Sequence, residues 1–153
     1  MNRSNIVNLN GLDKEAIEES KRNPKRNVSI ISLRNSNKDI FLVRTRKLPE
    51  KWQPIGGGIS IGESEEEAIL RETYEEVGIL LDKSKIKKVI EVPYDFGDGI
   101  IHCYDTIEET NDYLMSINKD EIVEYKWIPV NEALKLQMYD ATKKFIEALI
   151  NIN

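Results

Sequence analysis

Three glutamates in the middle of the chain have the type and spacing needed to hold a metal ion. Glu72, Glu75 and Glu76 stand at positions i, i+3 and i+4, which share one face of a helix. The stretch from Glu63 to Glu76 contains seven glutamates and a single basic residue, Arg71. One interpretation is a solvated acidic surface. The other is a site for a divalent cation such as Mg²⁺, which prefers carboxylate oxygens and often bridges to substrate phosphates.

A glycine cluster directly before these glutamates favours the metal-binding interpretation. Seven consecutive residues contain Gly56, Gly57, Gly58 and Gly62. Glycines allow a backbone to approach a ligand closely, but two known phosphate-binding patterns fail here. A P-loop requires a lysine where this chain has Glu63, and the dinucleotide-binding fingerprint requires a glycine that is missing. An acid in place of that lysine indicates that a metal ion balances the phosphate charge.

The glutamates are expected on a helix whose two ends are marked in the sequence. Ser64 and Glu67 form the S-x-x-E pattern of a capping box. Gly78 follows the last turn, where a left-handed C-cap is expected. The helix is therefore predicted over about 65–77. Its buried stripe is predicted at positions i, i+4 and i+8, which are Ile69, Thr73 and Val77.

Strands on both sides of this helix are predicted from runs rich in β-branched residues. They cover residues 28–33 and 40–44 before the helix, and 87–94, 100–106 and 121–128 after it. A second helical region opens at Pro129, with apolar residues at helical spacing toward the end of the chain. This order of elements predicts an α/β (α+β) fold with a mixed β-sheet flanked by helices.

Composition restricts the class of protein. The chain has 153 residues, of which 40% are hydrophobic and 32% are charged, which suits one globular domain. Its net charge of −5 argues against a nucleic-acid polymer as partner. No apolar run is long enough to span a membrane, and no secretory signal is visible at the start. We therefore expect a cytoplasmic protein, monomer or homodimer, that binds no membrane.

Residues 57–79 resemble the signature of the Nudix hydrolases, a family that includes the MutT-like enzymes. With U for an aliphatic residue, the signature is G-x5-E-x7-R-E-U-x-E-E-x-G-U, and its spacing fits this chain. The matching residues are Gly57, Glu63, Arg71, Glu72, Glu75, Glu76, Gly78 and Ile79. The one departure is Thr73, at the first aliphatic position. Its hydroxyl needs a partner, and we expect it to bond to the preceding helical turn.

The resemblance implies an α/β/α sandwich with a mixed sheet over 28–153, and it leaves 1–27 as an N-terminal extension of unknown role. It implies that water attacks a phosphorus of a nucleoside diphosphate linked to another moiety, with Mg²⁺ or Mn²⁺ as cofactor. The expected partner is a small nucleotide. A MutT-like (d)NTP pyrophosphohydrolase, releasing NMP and pyrophosphate, is the first candidate. An ADP-ribose or dinucleoside polyphosphate pyrophosphatase is an alternative, and a non-catalytic nucleotide sensor is another.

Site residues follow from the resemblance by position. It implies metal ligands at Glu72, Glu75 and Glu76, joined by the carbonyl of Gly57. Arg71 would orient a neighbouring carboxylate. The loop and the helix end would be shaped by Gly56, Gly58, Glu63 and Gly78.

The general base stays open between two kinds of residue. Glu72 is one candidate. The other is an acid on the late strand, where Glu124 resembles the position of an extra acidic metal ligand in MutT-type members. Glu121 is the fallback on the same strand.

Residues outside the signature are candidates for contacts with the substrate. Trp52 and Tyr94 could stack on a base, with core packing as the alternative for each. Arg44 and Arg46 could meet terminal phosphates, or they could be solvated. Cys103 is expected to be a small core residue rather than a nucleophile.

Overall fold

The computed structural model describes residues 27–152. The residues predicted to form an N-terminal extension, 1–27, therefore lie almost entirely outside the described part. The strands are β1 (Val28–Arg34), β2 (Ile40–Thr45), β3 (Ile55–Gly58), β4 (Ile86–Pro93), β5 (Ile100–Glu109) and β6 (Ile122–Ile128). The α-helices are α1 (Glu65–Val77), α2 (Val130–Ala133) and α3 (Asp140–Ile152). Short 3-10 turns cover Lys83–Lys85 and Asp112–Leu114.

β1 is the centre of a mixed sheet. The strand order is β4-β5-β1-β2-β6, and β3 pairs with β1 beside this path. β1 runs parallel to β5 and antiparallel to β2 and β3. A parallel neighbour requires a long connection, and that connection contains α1. The signature segment, which includes the end of β3 and all of α1, therefore lies within the connection from β1 to β5.

Helices cover both faces of this sheet. Alternate residues of β1 and β2 point to opposite faces of the sheet, so each strand contributes side chains to two hydrophobic cores. Ile31, Phe41 and Val43 pack with Ile69 and Val77 of α1. The opposite core, against α3, includes Ile30, Ile40, Leu42, Phe145 and Leu149. This arrangement confirms the α/β/α sandwich, and each fully buried aliphatic side chain contributes about 1.5–3 kcal/mol.

One strand was not predicted from the sequence. Ile55–Gly58 forms β3, because its glycines lie against β1, with Ile30 opposite Gly56. β3 pairs with the first half of β1, so the pairing of β1 with β2 is limited to Arg34 opposite Ile40. Glycine disfavours strands intrinsically, so only the tertiary pairing reveals this element.

The C-terminal region differs from a continuous helix, since α2 and α3 are separate. In the intervening segment, Met138 forms an isolated parallel bridge with Trp52, outside the strands of the sheet. Within residues 27–152, no helix is both long and apolar enough to cross a membrane.

Candidate active site

The helix that carries the signature begins and ends where the sequence predicts. Ser64 Oγ accepts the N–H of Glu67 at 3.0 Å, and Glu67 Oε1 accepts the N–H of Ser64 at 2.9 Å. Gly78 ends the helix in the left-handed region, with φ of 73°. A cap of this kind stabilises a helix by about 1 kcal/mol. Both ends of α1 are therefore held by local interactions.

The buried stripe of α1 sets the rotation of the helix. Ile69, Thr73 and Val77 are fully buried, and Thr73 Oγ1 donates to the carbonyl of Ile69 at 2.7 Å. The expected accommodation of this threonine is confirmed. The same rotation buries the side chains of Glu72 and Glu76, which are 1% and 3% exposed.

Gly56 connects β3 to the glutamates. Its φ is 150°, and a Cβ at this position would lie 2.2 Å from the carbonyl oxygen of Ser29. Only glycine can therefore occupy this position beside β1. Its N–H donates to Glu76 Oε2 at 3.1 Å, which fixes one carboxylate at the edge of β3.

Arg71 organises the remaining acids of the signature. Its Nε and Nη2 donate to the two oxygens of Glu63 at 2.7 and 3.0 Å. Its Nη1 donates to Glu72 Oε1 at 3.0 Å and to Glu75 Oε1 at 3.1 Å. Nη2 also reaches the carbonyl of Gly58 at 3.2 Å. One guanidinium thus links the loop, the strand β3 and the helix.

Glu63 and Arg71 of this network both keep their charges at neutral pH. The hydrogen bond from Arg71 lowers the pKa of Glu63, against an opposing effect of burial. In return, the hydrogen bond to Glu63 raises the pKa of Arg71. The planar fork of arginine suits such bidentate contacts with carboxylates.

A cavity of about 560 Å³ lies beside these residues, a size suited to a small-molecule ligand. Glu72 and Glu76 line it together with the backbone of β3. Positive charge comes from Arg46 and Lys47. Elsewhere its lining includes Tyr94, Asp95, Phe96, Glu121 and Tyr139. The cavity therefore joins acidic, basic and aromatic surfaces.

Some residues that the sequence singled out lie elsewhere. Glu75 is exposed at its contact with Arg71 and does not line the cavity. Arg44 and Glu124 form an ion pair between β2 and β6, with Arg44 Nε 2.8 Å from Glu124 Oε1. Trp52 belongs to the core, and the guanidinium of Arg44 stacks 5.4 Å from its ring centroid. The ion pair of Arg44 with Glu124 follows from the pairing of β2 with β6, which puts these two residues opposite each other.

Other cavity residues were missed by the sequence reasoning. Phe96 and Tyr139 lie 5.3 Å apart between ring centroids, although they belong to the β4–β5 hairpin and the start of α3. Asp95 Oδ1 accepts the N–H of Ala141 at 3.1 Å, which ties the hairpin to α3. No local pattern indicates these contacts, because they join distant segments. Glu121, the fallback for the downstream acid, does line the cavity.

Cys103 is a core residue, as expected. It is fully buried, and burial raises the pKa of its thiol to about 12. A thiol that stays protonated at neutral pH is not a nucleophile.

A family model for the NUDIX domain matches residues 23–149. The chain belongs to the Nudix family. It is 30% identical over 112 residues to an RNA pyrophosphohydrolase of a Nitratiruptor species, covering 61% of this chain and 68% of the relative. It is 34% identical over 77 residues to an 8-oxo-dGTP diphosphatase of Escherichia coli (strain K12), covering 48% of this chain and 58% of that enzyme.

The fold is similar to that of a MutT protein. The crystal structure of MutT from Methanosarcina mazei Go1 matches with a TM-score of 0.68 and 24% identity. The match covers 85% of this chain and 96% of that protein. Family membership makes the chain a hydrolase of pyrophosphate bonds in nucleoside diphosphate-linked compounds.

Nudix hydrolases use divalent metal ions, and the donors at this cavity fit one. Glu72 and Glu76 supply carboxylate oxygens, and β3 supplies backbone carbonyls beside them. All of these donors are hard oxygen ligands, which Mg²⁺ and Mn²⁺ prefer.

Proposed function

We propose that the protein is a MutT-like pyrophosphohydrolase that converts a (d)NTP to NMP and pyrophosphate. The observation that carries this proposal is the make-up of the cavity. Buried carboxylates, basic side chains and an aromatic cluster line one cavity of about 560 Å³. A nucleoside triphosphate has the matching parts, since its phosphates need cations and its base needs a flat apolar surface.

At the phosphate end, Glu72 and Glu76 would hold Mg²⁺ or Mn²⁺, joined by the carbonyl of Gly57. Glu75 does not line the cavity, but its Oε1 accepts from the same Nη1 of Arg71 as Glu72 Oε1, so it would join them from outside the lining. When bound, such an ion neutralises phosphate charge and lowers the pKa of a bound water. The chain itself supplies the orientation of the ligands. Arg71 donates to Glu72 and Glu75, so it acts as a positioning residue rather than as a substrate contact.

Glu121 is our candidate for the acid outside the signature, in preference to Glu124. Glu121 lines the cavity, and its carbonyl accepts the N–H of Arg46 at 2.8 Å. Arg46 lines the cavity too. This backbone hydrogen bond therefore holds an acidic and a basic residue next to each other in the lining of the cavity. The carboxylate of Glu124 instead pairs with Arg44. Glu121 or Glu72 would then accept the proton of the attacking water.

At the base end, the aromatic cluster is the proposed stacking surface. Tyr94 and Phe96 lie 5.8 Å apart between ring centroids, and Phe96 packs edge-on against Tyr139. Of the two aromatic residues predicted to stack on a base, Tyr94 is retained in this role. Trp52 is not, because it packs in the core.

A panel of substrates tests the proposed function. It contains canonical and oxidised (d)NTPs, ADP-ribose, diadenosine polyphosphates and an RNA with a 5′-triphosphate, each with Mg²⁺ and with product identification. We expect NMP and pyrophosphate from a (d)NTP. Cleavage of ADP-ribose or a dinucleotide instead would support hydrolysis of a pyrophosphate bond but contradict a (d)NTP as the substrate. Preferential release of pyrophosphate from the RNA would do the same. Nucleotide binding with no turnover would favour the sensor.

The choice between the two downstream acids is tested by a matched pair of variants. Glu121→Gln should lower kcat by about 100-fold, the lower range for a general base. Glu124→Gln should change kcat by less than about 3-fold, since it removes only a surface ion pair. A larger loss of kcat in Glu124→Gln than in Glu121→Gln would assign the role of the downstream acid to Glu124.

A further inference from the structure

A second group of chemically capable side chains lies at the start of α1, away from the cavity. Glu65 of α1, Glu91 of β4 and His102 of β5 surround the ammonium of Lys88. Lys88 Nζ lies 2.6 Å from Glu65 Oε1 and 3.0 Å from His102 Nδ1, and it also contacts Glu91 Oε2. We call these four residues the Lys88 cluster. None of them lines the cavity that holds Glu72 and Glu76.

The atoms around the ammonium are two carboxylate oxygens, which are acceptors, and a ring nitrogen, which is an acceptor in one of its two neutral tautomers. An ammonium can only donate, and the 3.0 Å separation of Lys88 Nζ from His102 Nδ1 fits a hydrogen bond in the tautomer that leaves Nδ1 unprotonated, with its lone pair toward the centre of the group. Nδ1 also lies 3.0 Å from Glu65 Oε2 and 3.4 Å from Glu91 Oε2. Three acceptors at these distances repel one another unless a cation lies among them. The cluster is thus built around a positive charge.

The spacing of the acceptors fits a small metal ion. Ligands at roughly 2.0–2.2 Å from a tetrahedral Zn²⁺ lie about 3.3–3.6 Å from each other. The separations of Nδ1 from the two carboxylate oxygens, 3.0 and 3.4 Å, are close to this edge length. The three ligand atoms all lie within 4.8 Å of one another. A histidine with two carboxylates is also a donor set that occurs at zinc sites.

Charge and access favour exchange of the ammonium for a divalent ion. Two carboxylates are balanced by one divalent ion but only half balanced by Lys88. The side chain of Lys88 is 33% exposed and that of Glu91 is 48% exposed, so the lysine can swing into water and an ion can enter. Tyr104 Oη donates to Glu65 Oε1 at 2.6 Å, so Glu65 keeps one hydrogen bond when Lys88 swings away.

We propose that Glu65, Glu91 and His102 form a second metal site, for a transition-metal ion such as Zn²⁺ or Co²⁺ that replaces the ammonium of Lys88. The nitrogen ligand distinguishes it from the all-oxygen donor set at the cavity, which suits Mg²⁺. An ion here would bind the first turn of α1 to β4 and β5. It would therefore attach the helix that carries Glu72 and Glu76 more firmly to the sheet.

His102 makes a direct test available, because it is the only histidine in the chain. The full chain, without an added histidine tag, is titrated with Zn²⁺ in excess Mg²⁺, and the imidazole ¹⁵N signals are followed by NMR. We expect the Nδ1 signal to shift and saturate at one equivalent of Zn²⁺. Unchanged imidazole signals would overturn the proposal, whatever Zn²⁺ does at the cavity.

Variants separate this site from adventitious binding. Glu91→Gln removes an exposed ligand and should weaken Zn²⁺ binding at least about 10-fold. Lys88→Met removes the competing cation and should strengthen it. Lys87→Met, a neighbouring exposed lysine of β4, is the matched control and should leave the affinity unchanged. Equal affinities in wild type, Glu91→Gln and Lys88→Met would overturn the proposal.

Discussion

Two regions of α1 each gather acidic side chains around one basic residue, but with opposite results. Near the middle of the helix, Arg71 contacts Glu63, Glu72 and Glu75 from the side. Beside the first turn of α1, Lys88 of β4 lies among Glu65, Glu91 and His102. A guanidinium is a planar fork, whereas an ammonium is a compact point charge.

The different shapes of the two cations allow one helix to contribute acidic side chains to two different clusters. The fork of Arg71 fixes its acids while Glu72 still lines the cavity. The ammonium of Lys88 occupies the space that its acceptors enclose. Carboxylates held from the side stay available to a ligand, whereas carboxylates around a central cation are bound to that cation. The first arrangement suits catalysis, and the second suits attachment of the helix to the sheet.

The largest expected difference between the two clusters is in turnover. Glu72→Gln should lower kcat/KM at least about 100-fold, because Glu72 is proposed to bind the metal directly and a direct ligand matters more than an outer-shell partner. Glu91→Gln should leave kcat/KM within about 2-fold, because surface ion pairs contribute little. The measurement is steady-state hydrolysis of the best substrate from the panel, with saturating Mg²⁺. Similar losses in both variants would contradict the division of roles.

Exchange of the basic residues gives the next largest effect. Arg71→Lys keeps the charge but loses the bidentate contact with Glu63, so kcat should fall about 10-fold or more. The free energy of unfolding should fall by about 2 kcal/mol, since hydrogen bonds between charged groups are lost. Lys88→Arg should leave kcat nearly unchanged. Urea unfolding and kinetics on both variants check this, and an active Arg71→Lys enzyme would show that the fork is dispensable.

The smallest expected effect is a pH dependence of stability at Glu63. The hydrogen bond from Arg71 lowers the pKa of folded Glu63, so the pair stabilises the protein above the unfolded pKa of about 4.3. That stabilisation is lost as the pH falls through the folded pKa. The Glu63→Gln variant should therefore lose less stability than wild type between about pH 6 and about pH 3, by on the order of 1 kcal/mol. Unfolding curves of wild type and Glu63→Gln, measured side by side at each pH, test this prediction. An identical pH dependence of stability in the two proteins would exclude this contribution.

Local rules explain why the signature helix was predictable. Ser64 and Gly78 cap it through contacts within a few residues, and the buried stripe follows from helical spacing. The placement of Glu72 and Glu76 toward the protein follows from the same spacing once that stripe is buried. Even the bond of Thr73 to Ile69 is an interaction within one turn.

Contacts between distant segments were not predictable in this way. β3 exists because β1 accepts a glycine strand at its side, a pairing for which glycine has no intrinsic preference. Glu121 and Glu124 stand on the same segment, and the strand register alone directs Glu124 to Arg44. The aromatic surface of the cavity combines Phe96 and Tyr139, which come from the β4–β5 hairpin and the start of α3.

By itself, then, the sequence determined the capped helix and the acids it carries, since each depends on spacing within one element. The signature on that helix indicated the family, and the resemblance to the family implied the sandwich. Only the tertiary structure decided which acid outside the signature lines the cavity, which aromatic residues surround it, and that Lys88 lies among Glu65, Glu91 and His102. The physical reason is that these groups meet through the pairing and packing of separate elements, and such pairing leaves no period in the chain.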